Sequence, residues 1–238
     1  MMWYKAWLES RWRFVAGLML VAGIAAVDIG QADIIMPRLG IPANQFNQFV
    51  WKEYFTRVSM GWTLSTLLLT AGGLVREHVL GTSLYSLSLP ISRRRWFAIR
   101  TFMAFGQSFV LSLVPAVVIP AVASLIGRSY SPWNAMKFSL LVFLTGLATF
   151  AVGILCSSLI QSEYAPVALG FGFVFLCGML ANAVASHGEY GEFITGRHYI
   201  NAAWHLTNGW PWWGIWGNIA TGAVFIAVAA HHLERRDF

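Results

Sequence analysis

Long apolar runs constrain this chain more than any motif in it. A helix needs about 20 mostly apolar residues to cross a hydrocarbon core roughly 30 Å thick. Runs of that kind recur at about 14–29, 57–75, 97–126, 135–159, 165–185 and 210–230. A bilayer interior offers backbone groups no water, so segments of this length satisfy their own hydrogen bonds as helices. Composition agrees: 57% of the 238 residues are hydrophobic and 11% are charged, too little polar surface to cover a water-soluble domain. The expectation is an all-α membrane protein whose residues 14–238 form one six-span transmembrane domain.

Several runs carry features of their own. Pro115 and Pro120 fall in the third and each removes a backbone donor, which predicts a kink there. The first run has Asp28 at its end and Asp33 just beyond, acids expected at the outer interface or facing protein. Residues 1–13 mix Trp3, Tyr4, Trp7, Leu8 and Trp12 with Lys5, Arg11 and Arg13, which reads as an interfacial amphipathic helix along the inner leaflet. Glu9 in this region argues against a cleaved leader.

Positive charge sets the orientation. With the N-terminus in the cytoplasm, Lys5, Arg11, Arg13, Arg76, Arg93, Arg94, Arg95, Arg100, Arg235 and Arg236 lie inside, ten of the 16 Lys and Arg residues. An even number of spans then brings the C-terminus back to the cytoplasm. The net charge of +6 gathers at helix ends, where membrane lipid headgroups account for it without nucleic acid. Cys156 and Cys177 lie in apolar runs with no CxxC, as free packing thiols.

The connections differ in character. Residues 30–56, with Pro37, Gly40, Pro42 and an aromatic tail around Phe46, Phe49 and Trp51, are expected to cover the outer mouth. Residues 186–209 hold Glu189, Glu192, His198 and His205 and lead into a Trp-rich stretch that reads as an interfacial belt. The acids and histidines match neither HExxH nor any paired zinc spacing, which favours a solvated interfacial hairpin over a metal site. The chain has no GxxxxGK[ST] loop, no GxSxG elbow and no carboxylate pair inside a run. ATP hydrolysis on this chain is excluded on that ground, and no catalytic residue or cofactor is assigned to it.

Ser59, Thr63, Thr66 and Thr70 recur at helical spacing in the second run, on one face. Such a stripe either packs closely against a neighbouring helix or lines a path. The fifth run has a comparable small face through Gly170 and Gly178, and the two faces are candidates to meet across a dimer axis.

A charged island separates the second and third runs. In it Leu80, Leu84, Leu87 and Ile91 follow helical spacing up to Pro90, the pattern of a short amphipathic helix that lies either on a partner or on the inner leaflet. The order Arg76-Glu77, Gly81-Thr82 and Leu89-Pro90-Ile91-Ser92-Arg93 resembles the first cytoplasmic loop of ABC-2 type transporter permeases, whose fold is exporter-like. The likeness extends to the lead-in Lys5 to Phe14, the six-span plan and the Arg236-Asp237-Phe238 ending, though only the island is specific.

That resemblance implies a permease subunit in the bacterial cytoplasmic (inner) membrane, paired with a second permease copy or a homologous one. A separate nucleotide-binding ABC ATPase subunit holds ATP and Mg. It implies that the island is a coupling helix touching the ATPase through Glu77, Leu80, Gly81, Thr82, Leu84 and Leu87, with Glu163 in the short connection 160–164 as a minor contact. It assigns Ser59, Thr63, Thr66, Thr70, Gly170 and Gly178 to the translocation path or dimer interface. Nearly charge-free spans suit a hydrophobic or amphipathic cargo, and the resemblance implies outward transport. The alternatives are a membrane scaffold that transports nothing and an intramembrane enzyme using His198 and His205.

Overall fold

The order of helices follows from where the chain supplies and withholds helix breakers. The computed structural model describes residues 2–71, 92–160, 162, 164–185, 210 and 212–235. Helix α1 (Met2–Gly30) has 29 residues, about 44 Å at 1.5 Å per residue. One unbroken helix runs through residue 13, where the interfacial helix was expected to give way to the first span. A helix lying flat on a leaflet must turn to enter it, and residues 2–16 contain neither glycine nor proline to make that turn.

The connection after α1 is largely helical. It forms α2 (Ala32–Arg38), a 3-10 turn (Ala43–Gln45), α3 (Phe46–Phe49) and a π-helical turn (Val50–Tyr54) that continues into α4 (Phe55–Thr70). Helix α4 stops short of the expected residue 75, because Ala71 is extended with ψ 139°. Gly72 and Gly73 follow in sequence, and a glycine pair is a poor place to continue a helix.

Helix α5 (Arg93–Leu125) has 33 residues and runs through both prolines. Ser92 caps it, its side chain accepting from the Arg95 amide at 3.3 Å, so the helix begins four residues before the expected 97. Its other end closes on Gly127, whose φ of 71° favours glycine. There the Gly127 and Arg128 amides donate to the Ser124 and Ala123 carbonyls at 3.2 and 2.9 Å, the paired bonds of a Schellman close. Helices α6 (Pro132–Leu159), α7 (Ala165–Ala185) and α8 (Trp212–Arg235) complete the described fold.

Among the described residues there is no strand. Segments of α1, α5, α6 and α8 are long and apolar enough to cross a membrane. α4 is shorter, with 16 residues, and the apolar stretch recognised in α7 is Ala165–Leu176.

Successive long helices run antiparallel, and polar contacts mark the two ends of the bundle. At the distal end, Asp28 of α1 pairs with Arg57 of α4 at 3.0 Å, and Asp33 of α2 pairs with Arg128 beyond α5 at 2.5 Å. Both acids are thus paired with arginines, as their place next to an apolar run requires. Aromatic side chains fill this end: Phe138 of α6 lies 5.5 Å from Trp51, 5.4 Å from Tyr54 and 5.0 Å from Phe55, centroid to centroid. The connection 30–56 therefore forms a packed cap on the bundle.

Helix α4 is the axis of the bundle, and glycines on its neighbours let it approach closely. A Cβ on Gly17 of α1 meets Ser65 at 3.0 Å, and one on Gly170 of α7 meets Leu67 at 3.0 Å. On α6, a Cβ at Gly153 falls 2.2 Å from the Thr70 hydroxyl. Without a hydrophobic force between helices in lipid, such small-residue contacts supply the packing that holds spans together.

Candidate functional site at the basal end of the bundle

The basal end, which holds the N-terminus, gathers polar side chains of α1 and α5 around Ala71, the residue that follows α4. Helix α4 leaves carbonyls without intrahelical partners at its C-terminus, and its dipole makes that end negative. Arg13 of α1 and Arg100 of α5 both donate to the Ala71 carbonyl, the latter at 3.3 Å. Two cations from two different helices thus grip one buried peptide group.

A second layer holds these arginines. Glu9 accepts from Arg100 at 3.0 Å and lies 3.7 Å from Lys5 one turn earlier. Trp96 stacks beneath the Arg100 guanidinium, 5.4 Å from its ring centre. Gln107 donates to the Ser10 hydroxyl at 2.8 Å, and that hydroxyl donates to the Ala6 carbonyl at 2.9 Å. Together the contacts fasten α1 to α5 along two turns and place the end of α4 against both.

Among the described residues no three His, Cys, Asp or Glu side chains come together to hold a metal ion. Glu189, Glu192, His198 and His205 lie outside the described residues. What the joint offers is mechanical: the point where the connection 72–91 leaves the bundle is fixed to α1 and α5.

The expected site residues divide into two groups. Glu77, Leu80, Gly81, Thr82, Leu84, Leu87 and Glu163 lie outside the described residues. The stripe on α4 is described, and Thr66 and Thr70 are buried inside the single chain. Thr70 donates to the Leu67 carbonyl at 2.9 Å and packs on Gly153, so these two threonines fill a helix contact within this chain. Ser59 and Thr63 are half-buried. Gly170 also packs within the chain, against Leu67, and Gly178 lies farther along α7. Within the chain, Gly170 thus brings α7 against Leu67 of α4, a residue next to the Ser59–Thr70 stripe.

Sequence reasoning missed the Ala71 joint. Its signals were Glu9, an acid inside a basic amphipathic lead, and Arg100, a cation one turn past a tryptophan. Each has a structural use only once α1 and α5 are neighbours. Ser92, which the sequence offered as part of a motif, is the cap of α5.

Compared with protein-family models, curated proteins and solved structures, the chain matches none of them.

Proposed function

We propose that this chain is the membrane-spanning permease subunit of an ATP-driven transporter of the ABC-2 type. α4 and α7 supply the two further spans, which makes six, with both termini in the cytoplasm and the basal end facing it. The subunit works as a dimer with a second copy or a related permease, and carries a hydrophobic or amphipathic substrate outward. A separate ATPase subunit binds ATP and Mg and docks on the helix formed by the island.

The observation that supports this reading best is the joint at Ala71. A coupling segment transmits force only if its root is fixed to the elements that must move, and energetic coupling between distant sites needs packed, rigid connections. Here the root of the island is tied through Arg13 and Arg100 to α1 and α5. A push on the island would then displace three helices together. Loosely rooted, the same loop would absorb the motion.

Purification of the full chain from its native membrane tests the proposal. An ATPase carrying a nucleotide-binding motif is expected to co-purify, and Glu77→Lys or Leu84→Asp to release it. Arg100→Gln is expected to leave the ATPase bound while lowering its stimulated hydrolysis. If the complex survives both island changes with stimulated hydrolysis intact, the coupling assignment is wrong. If only another membrane complex co-purifies, the chain is a scaffold.

A further inference from the structure

A groove of about 420 Å³ opens between the first turns of α5 and the last turns of α8, at the basal end but separate from the Ala71 joint. Phe97 and Ala98 line it from α5, and Ala227, Ala230 and Leu233 from α8. Arg94 and His231 stand at its polar rim. Its volume lies in the range of small-ligand sites, and its walls are apolar with few polar groups, the chemistry such sites use.

We propose that this groove binds one anionic phospholipid from the surrounding leaflet. The phosphate sits between Arg94 and His231, and an acyl chain lies along Ala98, Ala227 and Ala230.

Three observations converge on that occupant. The first is depth. At 33 residues α5 is about 50 Å long against a hydrocarbon core of about 30 Å, so its terminal turns reach the headgroup layer. The second is charge. Arg94 and His231 line the groove, and Arg95, His232 and Arg235 belong to the same two helix ends. Basic pockets between transmembrane helices are a recurrent site for anionic headgroups. The third is the division of the surface. The rim carries the Arg94 guanidinium and the His231 imidazole, and Ala98 and Ala227 are exposed alanines below it, so polar and apolar parts match the two halves of a lipid. A soluble anion uses only the rim, and a protein partner has no need of a groove at membrane depth.

The inference rests on the chain's being a membrane protein and not on the ATPase reading. Loss of ATPase capture leaves it standing, and loss of lipid retention leaves the permease reading standing.

Native mass spectrometry of the full-length protein in mild detergent, titrated with phosphatidylglycerol or phosphatidylcholine, decides the matter. One tightly retained phosphatidylglycerol per chain is expected, with phosphatidylcholine retained much less. Arg94→Gln is expected to weaken retention about fivefold, the factor one interfacial cation contributes, and Arg94→Lys to restore most of it. Should Arg94→Gln impair folding, Ala98→Phe with Ala227→Phe offers a second route, filling the groove from exposed positions and expelling the lipid. Arg38→Gln, at the distal end, serves as the control and leaves retention unchanged. The proposal is overturned if both groove variants retain phosphatidylglycerol like the native chain, or if phosphatidylcholine is held equally well. It is also overturned if inorganic phosphate displaces the lipid, or if a polypeptide occupies the site in its place.

Discussion

Gly146→Ala tests the packing of α4 more directly than any other change. The indole of Trp62 is 1% exposed and lies across α6 at Gly146. A Cβ added there falls 2.0 Å from Cζ3, 2.4 Å from Cη2 and 2.9 Å from Cε3 of that ring. The ring cannot swing away freely. Its Nε1–H donates to the Ser108 carbonyl at 3.0 Å, and its edge meets Phe143 at 6.4 Å. Overpacking a well-filled contact costs about 1–3 kcal/mol, and losing the buried indole hydrogen bond adds about 1 kcal/mol. A total near 3 kcal/mol corresponds to a fall of about 10 °C in Tm for a chain of this size. Thermal unfolding in detergent, followed by Trp fluorescence, measures it. Trp62→Phe removes the ring atoms that clash, so in the double variant the two costs should fall short of their sum by about 1 kcal/mol or more. If Gly146→Ala unfolds within about 2 °C of the native chain, or the two changes simply add, the helix contact described here is wrong.

Two further predictions concern the loops at the distal end. Gly127→Ala forces a Cβ into the left-handed conformation that ends α5, at a cost of about 1 kcal/mol, and Gly127→Asn should cost less; the same unfolding assay ranks them. Tyr54 and Tyr130 are buried, the Tyr54 hydroxyl without a protein partner, and burial pushes both phenols above the usual value of 10.0, Asp28 adding to the effect at Tyr54 and Trp51 opposing it at Tyr130. The unfolded chain then ionises first, so their contribution to stability is complete below pH 10 and is lost as the pH rises above it. Unfolding midpoints measured between neutral and strongly alkaline pH should show that loss, and Tyr54→Phe with Tyr130→Phe should flatten it; an unchanged slope refutes the assignment. Because Tyr54→Phe removes an unpaired buried hydroxyl, it should be neutral or slightly stabilising at pH 7.

The sequence revealed those parts of the fold that depend on hydropathy and single punctuating residues. Helix α7 begins and ends at 165 and 185 as the apolar run does, because polar residues bound it on both sides. The end of α4 was not legible from hydropathy, since Leu74 and Val75 prolong the apolar run in sequence while the helix ends at Thr70 with Ala71 extended. The cap over the distal end escaped for the opposite reason. Its aromatic residues have no helical or strand period of their own, and their order comes from contact with Phe138, more than 80 positions away from the nearest of them. The stripe on α4 was legible as a face, and the close approach of Gly153 to Thr70 at its end is something only the packing discloses.

The same distinction separates the two ends of the island. Its interior carries a motif in sequence order, so the resemblance to a coupling loop is visible without structure. Its root carries none, because the residues that hold Ala71 are Arg13, 58 positions earlier, and Arg100, 29 later. A carbonyl has two lone pairs, and here two guanidinium groups take them, each brought by a helix that crosses the bundle on its own account. Removing either arginine leaves the other bond in place, whereas removing Glu9 frees Arg100 to turn toward solvent while Arg13 still holds. The joint is therefore graded: loss of Glu9 should loosen the root of the island without detaching it. Loss of both arginines leaves the end of α4 with its partial negative charge unmatched against two neighbours. The residue that precedes the island is thus held to α1 and α5 through the Ala71 carbonyl.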